Sequence, residues 1–128
     1  MSYYFSKTIA LPMGRAVEHV TAALAAHGFG VLTTIDVAAT LKKKLDVDFR
    51  PYLILGACHP GFAYNALKQE SRIGTMLPCN VIVQQVDDAH VEVSAVDPIA
   101  SMQAVDNPGL ASVAGEVRAM LKQVVDEL

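Results

Sequence analysis

Asn80-Val81-Ile82-Val83-Gln84-Gln85-Val86-Asp87-Asp88-Ala89-His90-Val91-Glu92-Val93-Ser94-Ala95-Val96 is the stretch on which the fold turns. In its second half Val91, Val93 and Ala95 alternate with His90, Glu92 and Ser94. A period of two puts one face of a strand against a core and the other in water. Its first half, Asn80 to Val86, is apolar and β-branched, and Asp87-Asp88-Ala89 turns the chain between the two. This predicts an antiparallel hairpin, stopped by Asp97-Pro98.

Working outward, Tyr52 to Ala57 (YLILGA) is a continuous apolar run of strand length, expected either to be covered on both faces or to lie in the middle of the sheet. Pro60-Gly61 opens a helix to about Ser71, with Phe62, Ala63, Ala66 and Leu67 as its buried side. Upstream, Val31 to Val37 reads as a strand and Ala38 to Leu45 as a short helix. That helix ends in Lys42-Lys43-Lys44, where cations suit the helix dipole. Tyr3 to Ala10 is strand-like, and Leu11-Pro12-Met13-Gly14 breaks it. Val17, Val20, Thr21 and Leu24 recur at helical spacing, and Gly28 caps that helix with His27 in its last turn. At the other end Asn107 caps a helix and Pro108 fits its first turn. Leu110, Val113, Ala114, Val117, Leu121, Val124, Val125 and Leu128 form one stripe along it. The order is β-α-β-α-β-α-β-β-α. It predicts a two-layer α+β domain over residues 1–128, with a mixed, largely antiparallel sheet and helices packed on one face.

Hydrophobic residues make up 52% of the 128 and charged residues 18%, a composition that folds rather than staying disordered. A net charge of -3 and a pI near 5.7 argue against nucleic acid or an anionic membrane as the partner. The mean hydropathy of +0.34 is high for a soluble chain and points to a face reserved for a partner, most simply a second copy. A homodimer is therefore expected. Met1 to Leu11 lacks the pattern of a secretory signal, and Glu18, His19, Thr21 and His27 interrupt the most apolar stretch, Ala16 to Leu32. The expected setting is cytoplasmic, and there two cysteines are reduced rather than bridged.

The most chemically distinctive stretch is Gly56-Ala57-Cys58-His59-Pro60-Gly61, joining a strand to a helix. Unpaired N–H groups and the positive dipole end gather there. A thiol so placed is favoured as thiolate, and the same end suits a small anion. The next strand opens with Met76-Leu77-Pro78-Cys79-Asn80. Parallel strands around the helix would put Cys58 and Cys79 roughly 20 Å apart, at about 3.3 Å per residue, whereas antiparallel strands would bring them to one end. If they meet, Cys58, Cys79, His59 and Met76 make a soft-ligand cluster suited to Cu(I) or zinc, although no short metal motif is present. A catalytic pair would use Cys58 as nucleophile and Cys79 as resolving thiol. A triad through Asp97 is weaker, because Asp-Pro starts turns and His59 adjoins Cys58. No G-x-G-x-x-G, Walker loop or nucleophile elbow occurs, and the cofactor is unknown from the sequence. Free cysteines are also among the most buried residues and often do nothing but pack.

The blocks His27-Gly28-Phe29-Gly30-Val31-Leu32, Tyr52 through Pro60, Leu77-Pro78-Cys79-Asn80-Val81-Ile82-Val83 and Asp97-Pro98, with the lysines near Lys42, cover nearly the whole chain. In order and spacing they resemble domain-of-unknown-function family 302, a group of small prokaryotic proteins. The resemblance implies a compact domain of the TATA-binding-protein-like class, often dimeric, with no biochemical activity to carry over. It marks Cys58, Cys79 and Asn80 as motif positions and position 59 as more variable. The leading expectation is a homodimer that binds a small ligand through Cys58, His59, Cys79 and Asn80. A thiol-dependent redox enzyme, a Cys/His metal-binding protein and a purely structural or partner-binding module are the alternatives.

Overall fold

A computed structural model describes residues 2–128. The hairpin is formed by β4 (Cys79–Asp87) and β5 (His90–Val96), with Val81 opposite Ala95 and Val83 opposite Val93. Together with β1 (Tyr4–Ile9), β2 (Gly30–Asp36) and β3 (Tyr52–Cys58) they make one sheet in the order β1-β5-β4-β3-β2. Each of the four neighbouring pairs is antiparallel, so the expected mixed sheet holds no parallel pair among the described residues. Between the strands lie α1 (Met13–Ala26), α2 (Val37–Leu45) and α3 (Pro60–Gln69). After β5 come the short α4 (Pro98–Ser101) and the long α5 (Pro108–Asp126). The helix expected to reach Ser71 ends at Gln69 and gives way to a 3-10 helix, Ser71–Met76.

The local signals act as their chemistry requires. Gly28 takes φ +84° just past the end of α1, a conformation that favours glycine. The Asn107 side chain accepts a hydrogen bond from the Gly109 N–H and caps α5. Asp97 accepts from the Ile99 N–H to start α4 and receives the Arg118 Nε–H at 3.0 Å. Its carboxylate is thus committed to a cap and an ion pair rather than to a histidine.

One face of the sheet presents Leu55, Ala57, Val81, Val83, Val91, Val93 and Ala95 to α1 and α5. Ala16, Val20 and Leu24 from α1 and Val117, Leu121, Val124 and Val125 from α5 complete this core. At about 1.5–3 kcal/mol for each large aliphatic side chain, their burial is the main force holding helices to sheet. Among the described residues no buried helix covers the opposite face. There the pairings line up Ser6, Ser94, Ile82, Ile54 and Ile35 as one row across all five strands. None of the residues of α2 is buried, and α3 packs on α5 rather than on the sheet. No helix among the described residues is long and apolar enough to cross a membrane.

Candidate functional site

The antiparallel pairing of β3 and β4 decides the question the two cysteines posed. Ala57 lies opposite Cys79, and Cys58, the last residue of β3, lies opposite Gly30. Both thiols therefore sit at one end of the sheet, and the 20 Å separation of the parallel alternative does not arise. They line the same cavity, about 290 Å³, between this end of the sheet and helices α3 and α5. Ala57 and Cys79 are its floor; Phe62, Ala63 and Leu67 of α3 form one wall and Val113 and Val117 of α5 another. Met102 and Pro98 close it beside α4. The lining contains no Lys, Arg, Asp or Glu.

The cavity explains why α3 is less buried than its periodicity predicts. Of its apolar side only Ala66 is fully buried, and Leu67 is 45% exposed. Those side chains face the cavity and its mouth instead of packed neighbours. The register between β2 and β3 slips between Val31 and Thr33, leaving Leu32 as an extra residue. Such a bulge re-aims a side chain, and Leu32, 68% exposed, lies at the cavity rim. Beside it, a Cβ at Gly56 would collide with Thr33 Oγ1 and stand 2.8 Å from Pro78 Cγ, so only glycine lets the three strands close there.

His59 is the N-cap residue of α3, yet its side chain makes no capping hydrogen bond. Its ring lies against Phe62, with centroids 4.3 Å apart, and edge-on to Phe29 at 5.4 Å. The backbone of Gly28 closes the other side, where a Cβ would stand 2.8 Å from His59 Nε2. Held in this way, Nδ1 is buried without a hydrogen-bond partner. A polar atom so stranded costs about 1–3 kcal/mol, which a native structure retains for a reason.

Burial pushes the Cys79 thiol up from 9.0 to about 11, and the nearby Cys58 adds to the rise. At neutral pH Cys79 is a neutral, weakly polar wall. Asn80 does not join the cysteines: it lies opposite Gly56 and lines a shallow groove on the other face of the sheet, with Tyr4, Tyr52 and Glu92. Met76 is exposed and outside the cavity wall. Among the described residues no three His, Cys, Asp or Glu side chains gather as a metal site would need. Two of the other three histidines have local duties, His90 Nδ1 beside Asp87 at 2.8 Å and His27 Nε2 beside Glu127 at 2.9 Å. Phe29, Leu32, Pro98 and Met102 are site residues that the motif-centred expectation missed. Phe29 and Leu32 stood inside a quoted sequence block, whereas nothing in the sequence singles out Met102.

Fold and site together define a small α+β domain with an apolar cavity at one end of an antiparallel sheet. The chain belongs to the family described as "Domain of unknown function DUF302", whose sequence profile matches residues 5–128. It is similar in structure to the uncharacterized conserved protein DUF302 from Bacillus stearothermophilus, with a TM-score of 0.89 and 25% identity, over 98% of each chain. No curated protein matches it.

Proposed function

We propose that this protein is a dimeric module that binds a small apolar ligand in the cavity at the end of β3, against Cys58, His59 and Cys79. The cavity itself carries the reading. Ligand sites are concave, mostly apolar and furnished with a few polar groups, and this one is walled by aliphatic and aromatic side chains without a charge. The uncharged lining makes a neutral ligand a better fit than the anion expected at a helix N-terminus, because a buried unpaired charge is costly.

The dimer is supported by the second face of the sheet. Ile35, 49% exposed, ends a row that contains Ile54 and Ile82, and an apolar band of that kind suits an isologous partner. The reduced thiols of this reading fit a cytoplasmic setting.

A thermal-shift screen with neutral aromatic and alicyclic compounds tests the binding. Ligands that raise the melting temperature should lose their effect in Ala63→Phe, which fills the cavity from α3. If nothing binds, and the Cys58→Ala, Cys79→Ala double variant is as stable as the wild type, the ligand reading is wrong. Sedimentation tests the dimer: the wild type should run as a dimer and Ile35→Asp as a monomer, and a monomeric wild type at micromolar concentration rejects it.

The redox reading keeps one observation in its favour, that both thiols line one cavity. Against it, Cys79 holds its proton at neutral pH, and a resolving thiol must surrender its proton to close a disulfide.

A further inference from the structure

We propose that the groove on the other face of the sheet is a second binding site, for an elongated organic cation. Its ammonium group pairs with the Glu92 carboxylate, and its apolar body lies over Ile82 toward Tyr3 and Tyr4. The site is separate from the cavity beside Cys58 and is built from different residues.

The strand pairings set the length of the groove, whose volume is about 430 Å³. Tyr52, Gln84, Glu92 and Thr8 stand in one row across β3, β4, β5 and β1. Val96 and Tyr4 stand in another, with Ile82 between the two rows, opposite Ser94. Glu92 and Val96 are four residues apart on β5, roughly 13 Å at about 3.3 Å per residue. The charge comes from Glu92, the only charged side chain among those that line the groove. Its Oε1 accepts from Gln84 Nε2 at 3.2 Å and from the hydroxyl of the buried Ser94 at 3.4 Å, both neutral groups. Among the described residues its Oε2 has no donor, and no Lys, Arg or His pairs with the carboxylate. Arg50 joins this network one step away: it donates its Nε–H to Gln84 Oε1 at 2.9 Å and stacks over Phe49 and Tyr52, at 4.5 and 5.8 Å from the ring centres. A half-buried carboxylate without a counter-ion favours a cation over an anion, and an ammonium brings three donors to it. The far end supplies the aromatic contact. Tyr3 and Tyr4 are both exposed and meet edge to face at 5.0 Å, forming a corner for an apolar or cationic group. Ile35 lies on β2, at the opposite edge of the sheet from Tyr4, so the groove and the apolar row of the dimer reading meet only at Ile82.

The probes are 4-phenylbutylamine, the neutral 4-phenyl-1-butanol and the anion 4-phenylbutyrate, titrated into the full chain by calorimetry. The wild type should bind the amine about tenfold more tightly than the alcohol, the weight of one charge-assisted hydrogen bond, and show no saturable binding of the anion. Glu92→Gln keeps the shape of the side chain and removes its charge, and it should abolish the preference for the amine. Nuclear magnetic resonance of the wild type locates the site without a substitution. The Gln84, Glu92 and Ser94 amide signals and the Tyr3 and Tyr4 ring signals should move with the amine, while those of Cys58 and Ala63 stay. Equal affinity for amine and alcohol, or a preference that survives Glu92→Gln, overturns the pairing with Glu92. Signals that move at Cys58 and Ala63 instead put the amine in the apolar cavity and overturn the second site. If the wild type binds no amine, the second site falls, and the cavity reading stands or falls on its own screen.

Discussion

Cys79 shows how one side chain changes character with its surroundings. Its thiol is held near pKa 11, first by burial and then by Cys58. Since the folded value lies above the unfolded one, the folded state keeps this proton more firmly. The contribution to stability is complete below pH 9 and is lost as the pH rises through about 11. Reactivity follows, because only the thiolate attacks. At pH 8 iodoacetamide should modify Cys79 about 100-fold more slowly in the native protein than in the unfolded chain, with the rate climbing about tenfold per pH unit. Mass spectrometry of the Cys79 peptide over a pH series reads this directly, and a native rate equal to the unfolded one at pH 8 rules it out. His59 illustrates the opposite case: its ring packs fully while one nitrogen stays unsatisfied. Packing and polarity at that residue ask for different neighbours, and packing has prevailed.

Helix α5 is fastened at its end by two side chains from distant elements. Lys7 Nζ, on β1, donates to the carbonyl oxygens of Leu128 at 2.6 Å and Asp126 at 3.0 Å, where a cation complements the helix dipole. His27 Nε2, at the end of α1, donates to Glu127 and holds that carboxyl below its ordinary 4.5, with Gln123 adding to the effect. A carboxyl lowered in the fold stabilises it above the unfolded pKa, and the benefit is lost as the pH falls through the folded value. Glu127→Gln should therefore flatten the stability profile on the acid side of about pH 4.5 and leave its alkaline side unchanged, as measured by urea unfolding across pH. An acid limb identical to that of the wild type refutes this. At this scale much was legible in the sequence. The alternation of Val91, Val93 and Ala95 reports two faces of unequal burial, and the Leu110–Val125 stripe reports a helix on a core; both signals are periodic and local. The direction of β4 relative to β3 was not legible, because a helix and a following turn can return the chain to either end of a sheet. Nor was the cavity: Phe62, Ala63 and Leu67 show the same spacing whether they face packed atoms or open space. Asn80 shares a motif block with Cys79, yet successive residues of a strand point to opposite faces, and the block does not show which face each takes.

Across the whole molecule, the strand order sorts contacts by how far the chain must travel to make them. β2, β3, β4 and β5 are neighbours in the sheet in the order they occur in the chain, whereas β1 pairs with β5, joining Tyr4 to Val96. Closing so long a loop costs entropy before any contact returns it. Substitutions in β1 should thus act after the folding barrier and those in β4 before it. Ile9→Ala, costing about 2 kcal/mol at a half-buried site, should raise the unfolding rate about 30-fold with little change in folding, and Val83→Ala should slow folding. Stopped-flow chevrons separate the two, and equal slowing of folding by both substitutions contradicts the order. The contact of Lys7 with the end of α5 then takes on a meaning in time. It joins the strand that docks last to the helix that covers it, so the side chain acts as a latch on the route out of the native state. Weakening the latch should shorten the lifetime of the fold while hardly delaying its formation.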